Sequence, residues 1–172
     1  RSEIEDDEYE AVDEFGRNIR KLGEARRSSF RANMEYWVNP QVRLRTRGEL
    51  VRSQQAGEDL ELGYLMYQDL RLEFSDKLQL DTRLTMFETE SFATRVYQFE
   101  NDLLYVFASQ SLFNKGQRMY VLVNYEPFEF LELWAKFGIT IYENRQIIGS
   151  GLNEIQGDTR SEIGVQARIT FN

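Results

Sequence analysis

The chain of 172 residues contains no cysteine, no histidine, two prolines and no run of about 18 apolar residues. Each absence closes off a class of protein. Without cysteine there is neither a disulfide-stapled fold nor a thiolate metal site, a finding that is neutral on compartment. Without histidine there is no His-based catalytic triad and no His metal site. Without a long apolar run there is no spanning helix. The sequence carries no signal peptide and starts at Arg1 rather than Met, as a mature product or the ordered part of a longer protein would. Basic residues are also in short supply, 21 against 29 acidic, and the net charge of −8 gives no support to nucleic-acid binding.

What the chain has instead is alternation. Its last ten residues read I-G-V-Q-A-R-I-T-F-N. Ile163, Val165, Ala167, Ile169 and Phe171 fall on one face of a strand, and Gly164, Gln166, Arg168 and Thr170 on the other. A soluble chain rarely ends on an unbroken amphipathic strand, because termini are loose and solvated. An outer-membrane barrel ends this way, since its last strand must pair with its first to remove the sheet edges.

The same period runs back to Ser29. Phe30 to Val38, Val42 to Leu50, Leu60 to Phe74 and Leu78 to Met86 read as strands 1 to 4. Tyr97 to Phe107, Gln117 to Tyr125, Leu131 to Tyr142 and Ile163 to Phe171 read as strands 5 to 8. Asn39-Pro40, Ser75-Asp76-Lys77 and Glu126-Pro127 read as short turns, and Asn144 to Asp158 as the longest loop. The predicted fold class is all-β, an antiparallel up-and-down transmembrane barrel of about eight strands. Residues 1–28 differ. Glu3 to Glu10 holds six acidic residues, and Arg17 to Arg27 is mixed but basic-rich. They read as an acidic, mixed-charge extra-membrane arm or loop, with a helical turn around Glu8 to Lys21, ahead of a barrel over 29–172.

One face of these strands is nearly free of charge. The other carries, among others, Arg31, Glu35, Arg43, Arg45, Arg47, Glu61, Asp69, Arg71, Asp81, Arg83, Glu100, Asp102, Arg118, Glu132, Lys136 and Arg168. Two closed barrels fit. A lipocalin-like barrel turns the apolar face inward around a ligand. A membrane barrel turns it to lipid and fills the lumen with the charges. Aromatics near strand ends on the apolar face, at Phe30, Tyr64, Phe74, Tyr97, Phe107, Tyr125 and Phe171, suit interfacial girdles and favour lipid. Bulky Trp37, Tyr67, Phe87 and Trp134 on the polar face suit a packed interior. Eight strands enclose only their own side chains. The lumen is therefore expected to be filled by ion pairs of Arg43, Arg45, Arg47, Arg83, Lys136 and Arg168 with Glu35, Glu61, Asp81 and Glu132.

Glu100-Asn101-Asp102-Leu103-Leu104-Tyr105, Phe113-Asn114-Lys115-Gly116, Ile148-Gly149-Ser150-Gly151-Leu152-Asn153-Glu154-Ile155 and Thr159-Arg160-Ser161-Glu162-Ile163 carry a resemblance. They look like the C-terminal barrel of bacterial outer-membrane proteins of the type found behind periplasmic helix-hairpin-helix repeats. The resemblance spans about Ser29 to Phe171 and carries no catalytic residues. The helix-hairpin-helix part is not seen here. Asn172 after the terminal aromatic departs from the expected ending. The resemblance implies that Ile163, Val165, Ala167, Ile169 and Phe171 form a terminal signal read by the outer-membrane insertion machinery.

One point resists this reading. Three predicted strands separate the Ser75–Lys77 turn from Glu126-Pro127, so these similar turns would fall on opposite sides of the membrane. The strand count is then eight, give or take two, with the fault between Glu88 and Gly116. Gly149-Ser150-Gly151 is a loop cluster without the Lys-Ser/Thr or helix of a phosphate loop. Glu3 to Glu10 lacks the spacing of a Ca²⁺ loop. No cofactor, metal or catalytic residue is expected. The leading expectation is a non-enzymatic outer-membrane anchor or subunit of an envelope assembly, with lipid, the insertion machinery and other envelope proteins as partners. A porin-like barrel using Arg43, Arg45 and Arg47 as an anion ladder, and a soluble ligand-binding barrel, stand behind it.

Overall fold

Alternating polar and apolar residues suit a pleated strand, which sends successive side chains to opposite faces. The chain forms little else. The computed structural model describes residues 2–12, 18–55, 57–143, 145–149, 151 and 154–171, with side chains from residue 25 onward. Its strands are β1 (Ser2–Val12), β2 (Asn18–Asn39), β3 (Val42–Gln54), β4 (Glu61–Ser75), β5 (Leu78–Thr89), β6 (Val96–Glu100), β7 (Ala108–Leu112), β8 (Lys115–Phe128), β9 (Leu131–Tyr142), β10 (Ile147–Ile148), β11 (Ile155–Gln156) and β12 (Thr159–Ile169). No α-helix occurs among the described residues. The fold is all-β, antiparallel and up-and-down.

Eight strands form one sheet in the order β1-β2-β3-β4-β5-β8-β9-β12. β6 with β7, and β10 with β11, form two small ribbons. Every neighbouring pair in the large sheet is antiparallel. Among the described residues no pairing joins β12 to β1 or β2, so the sheet has two free edges.

The expected arm is a hairpin. β1 pairs with the first half of β2, from Ser2 opposite Ser28 to Val12 opposite Asn18. β3 pairs with the second half, from Arg26 opposite Gln54 to Asn39 opposite Val42. The two partners overlap only at Arg26 to Ser28, so the β1–β2 hairpin projects past the end of β3. The expected helical turn is absent from the described parts of Glu8 to Lys21, which are strand, while residues 13–17 lie outside the described residues. Composition misled here because charge suits a solvated hairpin as well as a solvated coil.

Predicted strand 5 is also corrected. Tyr97 to Phe107 does not join the large sheet. Val96–Glu100 and Ala108–Leu112 pair with each other as a separate hairpin. β5 pairs directly with β8, Leu84 opposite Met119. The parity conflict disappears with this strand. Two strands, β5 and β8, now separate the turns at their ends, so the short turns share one end of the sheet. Backbone hydrogen bonds link them: Glu73 N–H to Gln41 carbonyl (2.8 Å), Glu126 N–H to Lys77 carbonyl (2.8 Å) and Thr170 N–H to Phe130 carbonyl (2.9 Å). Asn39 caps the first turn, its Oδ1 accepting from Gln41 N–H at 2.8 Å.

Smaller differences follow from local pairing. β8 runs through Pro127 with a bulge between Tyr125 and Phe128, and turns at Glu129-Phe130. β12 starts at Thr159 and ends at Ile169, two residues short of Phe171. The expected closure of the last strand on the strand from Ser29 is absent. With predicted strand 5 gone, β2 and β12 run in the same direction, and antiparallel pairing between them is impossible.

The packed core lies on the charged side of the sheet, beneath the β6–β7 hairpin. Val51, Leu65, Tyr67, Phe87, Val96, Leu112, Tyr142 and Ile148 form one buried cluster. Tyr120, Leu122 and Trp134 form a second, with Leu103 and Leu104 of the hairpin tip packed on it. Glycines make room for this layer. A Cβ on Gly63 would collide with the Thr94 carbonyl, and one on Gly164 would meet the Leu103 side chain at 2.9 Å.

Candidate functional site, a hairpin stapled across the charged face

β6 is a short strand with β7 on one edge only. Its other edge would leave carbonyls without partners in a buried place. Three arginines of the large sheet supply them. Arg27 Nη2 donates to the Arg95 carbonyl at 2.7 Å, Arg47 Nη2 to the Tyr97 carbonyl at 3.1 Å and Arg83 Nη1 to the Phe99 carbonyl at 2.6 Å. The acceptors are alternate residues because alternate carbonyls of a strand point to the same edge. The donors come from β2, β3 and β5, so the hairpin is fastened across several strands.

The end of β6 is held by charge. Glu100 accepts two bonds from Arg118 of β8, at 2.6 and 2.8 Å, and one from Lys136 of β9 at 3.3 Å. Lys136 also reaches Asp102 at 2.7 Å. Arg118 donates further to Thr140 at 2.9 Å and to Glu162 of β12. Gln98, buried beside it, accepts from Thr85 Oγ1 at 3.0 Å and donates to Glu100 at 2.8 Å. Burial alone would raise the Glu100 pKa. The Arg118 and Lys136 charges overcome that and hold it below the ordinary carboxylate value.

A second network spans β3, β4 and β5. Asp69 lies between Arg45 (2.7 Å) and Arg83 (2.8 Å), and the Arg83 guanidinium sits 3.8 Å from the Tyr67 ring centroid. Arg71 bonds Asp81 at 2.7 Å. Glu49 receives Arg31 at 2.9 and 3.1 Å and also Arg47.

The residues expected to fill the interior all lie on this face; two pairs form within the expected set, and the others find partners outside it. Arg43 meets Glu35 at 4.0 Å and Arg168 meets Glu132 at 2.6 Å. Arg45 and Arg83 converge on Asp69, Arg47 goes to Glu49, and Lys136 to Glu100 and Asp102. Asp81 takes Arg71, and Glu61 accepts from Ser91 Oγ at 2.5 Å. Glu49, Asp69, Glu100, Arg118 and Glu162 are central yet fell outside the expected set. The charge pattern placed Asp69, Glu100 and Arg118 on the correct face. Nothing in it placed Glu100 on a hairpin rather than a sheet strand.

Ile163, Val165, Ala167 and Ile169 lie along the uncharged face of β12, and Phe171 lies beyond its end, 89% exposed. The acidic side chains from Glu3 to Glu10, and Ser150, Leu152, Asn153 and Asn172, lie outside what is described. Among the described residues no group of three or more acidic side chains is placed to hold a metal ion.

The arrangement inverts the usual polarity of a protein. Arg83 is 1% and the Arg118 side chain 2% exposed, whereas Met66 is 57% and Leu84 49% exposed. Charged residues are rarely buried without partners, and contiguous apolar surface is rarely left in water. Comparison with protein-family models, with curated proteins and with solved structures finds no match.

Proposed function

We propose that the chain is a non-enzymatic bacterial outer-membrane β-barrel protein whose interior is closed by its own hairpin. It serves as an anchor or subunit of a larger envelope assembly. The observation that carries this reading is the inversion of polarity: on the charged face Arg83, Arg118 and Lys136 are buried with their partners, while the leucines, methionines and aromatics of the other face are exposed. In water that surface would drive association. In a bilayer it is the contact surface, and the buried charges are shielded from lipid.

Three further features agree with it. The short turns gather at one end and the long connections at the other, as periplasmic turns and external loops do. β4 has 15 residues and β9 has 12, enough to cross a tilted path through the hydrocarbon core. The sequence resemblance to outer-membrane C-terminal barrels points the same way. A lipocalin-like barrel would face its apolar side inward, and here the inward candidate is the charged side that carries the hairpin. The porin alternative needs Arg43, Arg45 and Arg47 to face an open path. Arg45 and Arg47 are instead held by Asp69 and Glu49, and Arg47 also holds the hairpin.

Cell fractionation combined with electrophoresis tests the assignment. The protein is expected in the outer-membrane fraction, with migration that changes on heating. A water-soluble monomer that folds without detergent would overturn the membrane reading. Large, stable conductance in planar bilayers would overturn the plug and favour a pore.

A further inference from the structure

The free edges of the sheet hold a constraint that the membrane reading makes specific. Six antiparallel junctions lead from β2 through β3, β4, β5, β8 and β9 to β12. β2 and β12 therefore point the same way. A single-chain bacterial barrel closes through antiparallel pairs and an even strand number. Seven strands crossing side by side cannot do this.

We infer that the sheet is completed by an odd number of further membrane strands, the first continuing β1 on its N-terminal side and pairing along Ser29–Asn39 of β2. The inference rests on the barrel reading above. β1 fixes the direction. Its register places Ser2 opposite Ser28, so residues preceding it in line would lie opposite Ser29 and onward, along the edge that β3 does not use. β1 also runs antiparallel to β12, so a strand in line with it suits both edges.

The neighbouring surfaces look like those of strands missing a partner. On the apolar face Phe30 is 72% and Val165 74% exposed, against 41–57% for Met119, Leu84, Met86 and Met66 in mid-sheet. On the charged face the Arg31 and Arg168 side chains are 48% and 43% exposed, while those of Arg83 and Arg118 are dry. Gln166 on β12 has a buried Oε1 with no donor, as a lost neighbour would leave it.

Two other occupants fail. β1 cannot slide down to fill the gap, because Glu3, Glu5 and Asp7 on one face and Asp6, Glu8 and Glu10 on the other would put carboxylates against lipid whichever face turned outward. A second copy inserted in the same orientation offers only edges that run parallel to those here. The occupant is thus polypeptide preceding Arg1, with polar and apolar residues alternating over about 9–11 positions.

Residues 1–172 contain no cysteine that would compete in the test. Ala32→Cys on β2 is combined in turn with single cysteines along β12, from Ser161 to Ala167, and along the segment preceding Arg1, in the protein assembled in its own outer membrane. Oxidation is followed by mass spectrometry. Expected are a native mass greater than that of residues 1–172, disulfides between Ala32→Cys and the preceding segment, and none to β12. Strands separated by one intervening strand lie about 10 Å apart, and a disulfide needs Cα atoms within about 7 Å. Disulfides between β2 and β12 would show direct parallel closure and overturn the inference. So would a native mass equal to that of residues 1–172, or disulfide-linked dimers through Ala32→Cys. Heat-modifiable migration of the same samples reports the barrel separately, so a failure of closure is distinguishable from a failure of the membrane reading.

Discussion

Asp69 shows how a buried charge earns its place in this molecule. It faces two guanidiniums, Arg45 and Arg83, and the Arg83 side chain is 1% exposed. Removing one member of a buried ion pair leaves the other without compensation, which costs about 3–5 kcal/mol. Asp69→Ala is expected to lower stability by that order in urea titrations of the detergent-folded protein. Replacing Asp69 and Arg83 together with apolar residues is expected to cost less than the sum of the single changes. Equal, additive losses would show that the two groups do not depend on each other. Gly63 is a second test at this scale. Its missing Cβ admits the Thr94 carbonyl, so Gly63→Ala is expected to displace the start of the hairpin and raise amide exchange across Val96–Glu100. Unchanged protection there would mean that the segment shifts without loosening.

The β6–β7 hairpin covers the charged face of the sheet and is held there by Glu100 and its cationic partners. Glu100, with its folded pKa held below the ordinary 4.5, binds fewer protons in the folded protein than in the unfolded chain. Its contribution is therefore complete above that ordinary value and disappears as pH falls through the lower folded value. The protection of residues 96–112, taken relative to the intrinsic exchange rate at each pH, is expected to be constant above the ordinary value of 4.5 and to fall as pH drops below it. In Glu100→Gln the carboxylate is gone at every pH, so exchange is expected to be faster throughout and the acid step smaller. A step of the same size in the variant would assign it to other carboxylates. β12 supports a different prediction. Phe171 lies past the last paired residue, Ile169, and is highly exposed. If it acts as a terminal signal, deletion of Phe171-Asn172 is expected to reduce assembled protein sharply without changing synthesis, with Phe171→Leu milder. Normal assembly after the deletion would remove that role.

On the scale of the whole molecule, the inversion of polarity is the ground for the bilayer setting proposed above. Leu84 lies in the middle of β5 on the uncharged face, opposite Gln68 of β4 and Met119 of β8. On that proposed reading, arginine there would face hydrocarbon. Leu84→Arg is expected to destabilise the protein in lipid by about 2–4 kcal/mol, with a much smaller loss for the same change near the sheet's rim. Equal effects at both depths, measured by denaturant titration in vesicles, would argue against a bilayer around this face.

The sequence by itself determined the strands whose two faces differ in polarity. Val42–Gln54, Glu61–Ser75, Leu78–Thr89 and Leu131–Tyr142 follow alternation that only a pleated strand can sort. It also determined which charges share a face, since that depends on period alone. Tertiary structure decided what the period cannot express. Tyr97 to Phe107 carries apolar residues at alternate positions, broken at Asn101, Leu104 and Val106, and its first residues fold over the charged face, where Arg47 and Arg83 satisfy two β6 carbonyls and Arg27 the one just before the strand. Arg45 and Arg83 share Asp69 because register across β3, β4 and β5 brings them level. The charged stretch before Ser29 became a hairpin through pairing partners six to twenty-six positions away by register, Val12 with Asn18 and Ser2 with Ser28 among them. Local pattern fixes the face of each side chain. Which edges meet, and which charge answers which, depends on contacts between strands distant in the chain.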